Sequence, residues 1–331
     1  NRIDKSKSLN SISFMEIKEK QNREILQAYM KYELGVTGQA VSTINRRFMC
    51  IRNFLKMLEQ KRTLAVHATA EDLSDYAKDL LEHHVQAKGF NERIYSIGHF
   101  YKFMEVREYI PKMPFRIEYF QQKVLMVHHD RSVEEIVYME VLKKLYLFPE
   151  RLRCMFLHLW CLGLRASEVC TLKGNAYYQQ GEDCWIQVYQ VKMKNYKKIP
   201  IPRALYQLMK IYLKKNEIQP EEFIFQNTKG GACLYDTFRR QMLKACRENG
   251  IANGEYIFRS HDYRHTVATM FYDNEVSLQS IRDYLGHTYE EMTRQYIDFM
   301  PKKIAQANEE FFSTQENSLA SWLRKGEQDA K

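Results

Sequence analysis

The sequence predicts a mainly α chain with a small antiparallel β-sheet, an α+β fold in two domains. Three observations predict it. Apolar residues recur at steps of three and four through the first hundred positions. An aperiodic stretch opened by Pro111 and Pro114 then divides the chain. Beyond it, among further helices, the run Trp185 to Val191 alternates and is rich in β-branched and aromatic residues. A length of 331 residues fits two domains of ordinary size, and a hydrophobic content of 45% is enough for real cores.

Residues 1–14 are polar and are expected to be a flexible segment. Residues 15–112 read as a helical domain. Val41, Ile44, Phe48, Ile51, Leu55 and Leu58 share one helical face, and Arg46, Arg47, Arg52 and Lys56 occupy the rest of that helix. Thr69 with Asp72 marks a helix start before Leu73, Tyr76, Leu80 and Leu81. A fourth helix over about 91–106 carries Arg93 and Lys102. These six basic residues, Arg46, Arg47, Arg52, Lys56, Arg93 and Lys102, are candidate contacts for an acidic partner; ordinary solvated helix faces explain them equally well. Residues 113–131 read as a linker. Ser132 and Glu135 form a capping-box pattern that opens a second domain over 132–301. There, 185–191 and 198–202 are expected strands, with the polar run 192–197 as their hairpin turn. Residues 302–331 form a tail in which Ile304, Phe311, Phe312, Leu319, Trp322 and Leu323 fall at helical steps.

Lys and Arg number 50 against 41 Asp and Glu, a formal net charge of +9, which favours an acidic polymer as partner. The seven cysteines form no CxxC pair and read as reduced, buried thiols. No stretch reads as a signal peptide. The apolar run Met155–Leu164 is too short for a bilayer and is interrupted by His158. The chain opens on Asn1 rather than Met, so a trimmed N-terminus is expected. There is no phosphate-binding glycine loop, no zinc spacing and no cluster of acidic metal ligands, so neither metal nor cofactor is expected.

Three segments carry chemistry: Gly163-Leu164-Arg165-Ala166-Ser167-Glu168, His261-Asp262-Tyr263-Arg264-His265, and Leu285-Gly286-His287 followed by Tyr296. Singly each is weak, since Arg165 can simply end a helix and Tyr296 is one tyrosine among 22. Together, in this order, they resemble the tyrosine recombinase (phage integrase) family, of the transposon or phage integrase kind. That family joins an Arg in a GLRxSE-like segment, a hairpin Lys, an HxxR pair, a His after Leu-Gly, and a Tyr nine residues beyond that His. Here His287 and Tyr296 are nine residues apart. The family's lysine lies about eight residues before a strand Pro. Lys192 stands so to Pro200, while Lys194, Lys197 and Lys198 compete for the role.

The resemblance implies a helical core-binding domain followed by a catalytic domain, and the residue types suit the chemistry. Charge builds on the phosphate oxygens of a pentavalent transition state. Two arginines, always charged and each able to donate two bonds, answer it: Arg165 and Arg264. His261 lies three residues before Arg264, on the same helical face, where it can take the phenolic proton or donate to phosphate. Tyr296 is the nucleophile; a phenol with a pKa of about 10 needs such help. Lys192 is the general acid for the 5′-oxygen, His287 a phosphate donor, and Glu168 the acidic residue that orients Arg165 or His287. A 3′-phosphotyrosyl link conserves the energy of the broken bond, so ATP is unnecessary.

Two departures from the family pattern stand out. The run Tyr272–Ser277 lacks the usual Gly, for which Asn274 can substitute in the left-handed conformation. The run Lys173 to Tyr178 also differs, which bears on its strand and not on the catalytic set. The resemblance implies double-stranded recombination sites as substrate and a homo-tetramer on DNA, with room for accessory DNA-bending or directionality proteins. It implies the cytoplasm of a bacterial, phage or mobile-element host, at the nucleoid. The tail packs on its own domain or, as we favour, on a neighbouring protomer. A type IB topoisomerase shares the chemistry, and a non-catalytic DNA-binding regulator would need only the basic helices.

Overall fold

The computed structural model describes residues 3–7, 11–124, 131–191 and 193–286. Lys192, His287, Tyr296 and the tail lie outside them. The described residues between 8 and 127, with 3 and 4, form one compact unit; those from 128 onward, with 5–7, form the other.

The first unit holds four helices: α1 (Lys20–Gly35), α2 (Val41–Gln60), α3 (Ala70–Glu82) and α4 (Ala87–Val106). The apolar stripe of α2 is its buried face: Ile44, Phe48, Ile51, Leu55 and Leu58, joined by Phe54, all lie in the core. Thr69 and Asp72 close a reciprocal capping box at the start of α3, as their spacing predicts. Part of the expected linker belongs to this core. Phe115 is buried against Tyr101, with ring centroids 4.7 Å apart, and Ile117 packs so closely on Gly98 that a Cβ there would meet it at 2.8 Å. Asn91 ties down Gln122 through two bonds of 2.8 Å. Helix α4 ends before the two prolines, in a turn with Glu108 left-handed (φ +60°), and the prolines do not free the chain that follows.

The second unit runs α5 (Glu135–Lys144), α6 (Glu150–Leu162), α7 (Ala166–Cys170), β1 (Tyr177–Gln180), β2 (Asp183–Gln190), β3 (Asn195–Pro200), α8 (Arg203–Lys215), α9 (Tyr235–Glu248), α10 (Ser260–Asp273) and α11 (Leu278–Leu285). Helix α6, apolar on most of its circumference, is the centre. It packs along α10, with Phe156 edge-on to Tyr263 at 5.0 Å. The sheet is antiparallel in the order β1-β2-β3. Cys184, Ile186, Val188 and Gln190 point inward from β2, and Lys197 and Ile199 from β3. The seven cysteines are unbridged, six of them buried. Among the described residues no helix is long and apolar enough to cross a membrane, and no group of His, Cys, Asp or Glu could hold a metal.

Four local expectations are corrected. The second strand is Asn195–Pro200 rather than 198–202, because Lys197 takes an inward strand position and so shortens the turn. Ser132 does not cap α5: its hydroxyl meets Thr269 Oγ1 at 3.3 Å, and Val133 N donates to Thr266 Oγ1 at 2.8 Å. The left-handed residue after α10 is Glu275 (φ +62°), while Asn274 turns its amide back to Met270 O at 2.7 Å. Tyr177–Gln180 adds a strand, β1, in the stretch that departs from the family pattern.

Candidate active site

The site is built where α6 ends. Gly163 caps α6 in the left-handed conformation, and Arg165 is the residue that starts α7. The five-residue α7 returns Glu168 onto Arg165. Arg165 Nη1 donates to Glu168 Oε1 at 2.9 Å, and the Arg165 backbone N donates to Oε2 at 2.9 Å. A carboxylate so held fixes both the arginine's backbone and its guanidinium.

Arg264 comes from the first turns of α10, is fully buried, and bridges two chain ends. Its Nη1 donates to Gly163 O at 2.8 Å and its Nη2 to Leu285 O at 2.6 Å. It thus joins the α6–α7 turn, two residues before Arg165, to the end of α11, two residues before His287. Glu168 is buried beside it. Burial would raise its carboxyl pKa, but Lys197, Arg264 and Arg165 outweigh that and hold it below the usual carboxylate range. Gln190 Nε2 adds a bond to Glu168 Oε1 at 3.3 Å.

His261 lies at the start of α10 and is open to solvent. Desolvation, then the charges of His265, Arg264, Arg165 and Arg131, depress its imidazole to about 3. With the residue exposed, the charges are the lasting part of that effect. The ring is neutral at neutral pH, and a neutral imidazole has one nitrogen that accepts a proton. Around it opens a cleft lined by Arg131, Arg239 and Arg259, all exposed, with Tyr235, Ser260 and Asp262. Sequence reasoning missed these three arginines, which are scattered over 129 positions and fall in no motif.

Lys197 is misread as well, as part of the hairpin turn. It is buried on β3 with its Nζ 3.8 Å from Glu168 Oε2 and 3.4 Å from Tyr284 O. Burial, opposed by Glu168 and aided by Arg264 and Arg165, pushes its pKa down to about 8. The alternation of the strand carries this information, because Lys197 shares a face with Ile199.

The structure therefore brings Arg165, Glu168, His261 and Arg264 into one neighbourhood. Lys192, His287 and Tyr296 lie outside the described residues. The six basic candidates of the first unit all have partners. Arg46 pairs with Glu92 at 2.9 Å, Arg47 with Glu33 at 3.0 Å, Lys56 with Glu16 at 3.0 Å and Lys102 with Glu105 at 2.6 Å. Arg52 also pairs with Glu16, and Arg93 donates to Gly89 O at 2.8 Å. Arg46 and Lys102 remain about two-thirds exposed (67% and 65%), whereas Arg47 and Arg52 are mostly covered (17% and 15%).

Residues 134–302 match the model of the phage integrase family. Transposase B of transposon Tn554 from Staphylococcus aureus is 26% identical over 313 residues, covering 89% of this chain and 48% of that protein. The chain thus spans about half the length of that relative. The tyrosine recombinase XerC of Bacillus pumilus is 24% identical over 243 residues, covering 68% of this chain and 75% of XerC. Among solved structures, the XerH site-specific recombinase bound to a palindromic difH substrate superposes with a TM-score of 0.68 over 90% of both chains, at 16% identity. That likeness establishes a shared fold.

Proposed function

Since the chain belongs to the phage integrase family, we propose that it is a tyrosine site-specific recombinase that breaks and rejoins DNA through a 3′-phosphotyrosyl intermediate, with Tyr296 as nucleophile. The observation that carries this reading is the cluster at the α6–α7 turn. There Arg165, Arg264 and Lys197 surround a single carboxylate, Glu168, next to a neutral His261 and a cleft edged by three arginines. Such a site has excess positive charge, a fixed donor and a proton acceptor, which is what a phosphodiester under attack by a phenol requires.

In this reading the DNA backbone lies along the Arg131–Arg239–Arg259 cleft. Arg165 and Arg264 stabilise the charge that builds on the non-bridging oxygens, with His287 as a further donor. His261 accepts the phenolic proton as Tyr296 Oη bonds to phosphorus. The 5′-oxygen leaves with a proton from Lys192. Attack by the 5′-hydroxyl of a partner strand reverses the sequence, returns the proton to Lys192 and frees Tyr296. Exchange between two duplexes needs four cleavages in one complex, so the partners are two DNA sites and about four copies of the chain, with the 302–331 tail as candidate tether. Integration, excision and transposition are all served by this chemistry.

The test is a suicide substrate nicked near the cleavage site. The unaltered chain is expected to give an adduct stable to denaturant. Tyr296→Phe is expected to abolish it and leave DNA binding intact. An adduct that persists in the Phe variant, or maps to Tyr284 or Tyr289, overturns the assignment.

A further inference from the structure

We propose that Lys197 and Gln190 are positioning residues that fasten the β2–β3 hairpin to the turn at Leu285–Gly286, setting the two catalytic candidates on those segments, Lys192 and His287, in register. The proposal rests on the recombinase reading and adds to it residues that act through others.

The hairpin and the turn are far apart in sequence, yet they meet on both flanks of the site. Gln190 ends β2 and Lys197 lies in β3, so the pair brackets Lys192 along the chain. Both are inward strand positions, paired across the ladder with Asn195 and Val188 respectively. From one flank, Lys197 Nζ donates to Tyr284 O at 3.4 Å. From the other, Gln190 presses its amide against Gly286, closely enough that any Cβ at 286 would collide with it. Gly286 also holds φ +69°, so the turn needs glycine for its backbone and for its neighbour alike. Glu168 completes the clasp: it accepts from Gln190 Nε2 at 3.3 Å and sits 3.8 Å from Lys197 Nζ. His287 is the next residue after this turn.

The same geometry separates Lys197 from the role of proton donor. Its side chain is only 7% exposed and its ammonium points at the Tyr284 carbonyl and the Glu168 carboxylate. A general acid for a leaving 5′-oxygen must reach substrate, whereas this ammonium faces the protein interior. Its lowered pKa, from burial, is the mark of a lysine held inside.

The experiment compares the unaltered chain with Lys197→Met, Lys197→Arg and Gln190→Ala. Each is tested on a nicked substrate with an ordinary 5′-oxygen and on one with a bridging 5′-sulfur, which leaves without a proton. Amide hydrogen exchange is followed over peptides spanning 278–286. Lys197→Met is expected to lower oxygen-substrate cleavage about 100-fold, the scale of a small misplacement at a catalytic group. Sulfur should restore only part of this, because the defect on the His287 side persists. Exchange in 278–286 should accelerate while α6 and α8 keep their protection. Gln190→Ala, which strands no charge, should show the same pattern at about tenfold, the loss of one hydrogen bond. Lys197→Arg should recover most of both readouts. Full rescue of Lys197→Met by sulfur would make Lys197 the acid itself and overturn the proposal. Unchanged exchange in 278–286, or an acceleration spread evenly over the domain, would overturn it too. No adduct from the unaltered chain would overturn the recombinase reading and this proposal together; a normal adduct from both the unaltered chain and Lys197→Met overturns this proposal alone.

Discussion

In the first unit the basic candidates are spread over four acids and a backbone carbonyl, whereas in the second several cations crowd one carboxylate. Glu16 takes both Arg52 and Lys56, Glu33 takes Arg47, Glu92 takes Arg46 and Glu105 takes Lys102. At the α6–α7 turn, Arg165, Lys197 and Arg264 share Glu168, and three exposed arginines edge the adjoining cleft against the single carboxylate of Asp262. The same residue type does different work in the two places. A paired arginine on a helix organises the fold and contributes little net charge locally. A cluster short of carboxylates has an electrostatic need that a phosphate can meet. A net charge of +9 is silent on this difference, which only the arrangement of charges in each unit shows.

The sharpest way to break this comparison is to exchange the arginines of the turn for lysine. Arg165→Lys and Arg264→Lys should each lose suicide-substrate cleavage by roughly 3 kcal/mol of transition-state stabilisation, more than 100-fold, because lysine lacks the planar fork. The two should part on stability. Arg264 bonds two buried carbonyls, so its replacement should also cost about 2 kcal/mol in urea unfolding, while Arg165→Lys stays near the unaltered chain. Equal stability in both variants would remove Arg264 from its bridging role.

A second test addresses Glu168. Its pKa is lower in the folded chain than in the unfolded one, so its ionised form stabilises the fold above the unfolded carboxylate pKa. That contribution is lost as pH falls through the folded pKa. Glu168→Gln should therefore lower the urea midpoint at neutral pH and flatten the acid limb of the stability profile. A parallel downward shift of the whole profile would mean that the carboxylate's charge is not what matters.

Smaller effects are expected on DNA binding. Arg239→Ala and Arg259→Ala should each weaken binding to a single site and reduce the salt slope by about one. Arg46→Ala should do the same on a smaller scale, with a stability change under about 1 kcal/mol, since its pair is exposed. Arg47→Ala should instead cost roughly 3 kcal/mol of stability by removing the cation paired with the buried Glu33 carboxylate. Salt titration and urea unfolding of the same four proteins separate the two kinds of arginine.

The sequence was most informative where chemistry fixes spacing along the chain. Arg165 with Glu168, and His261 with Arg264, are short-range pairs, and their helical positions were readable from intervals of three. The apolar stripe of α2 and the capping box at Thr69 were legible for the same reason. What escaped depends on a partner distant in sequence. Lys197 looked like turn material because lysine is ordinarily solvated, and only Glu168 and Tyr284, from other elements, explain its burial. Ser132 had the spacing of a cap, but Thr269 takes its hydroxyl. Phe115, two positions into the expected linker, was claimed by Tyr101. Arg131, Arg239 and Arg259 form one cleft from three unrelated segments.

Arg264 has a consequence for how this chain's descendants could decay. Because its guanidinium is the strut between Gly163 and Leu285, a copy that gave up DNA cleavage but survived as a folded DNA-binding protein would still be under pressure to keep it. Tyr296, by contrast, could be lost from such a copy once no bond had to be broken. An intact Arg264 in a relative therefore testifies first to an intact scaffold, and its presence alone does not distinguish a cleaving enzyme from a folded copy that only binds.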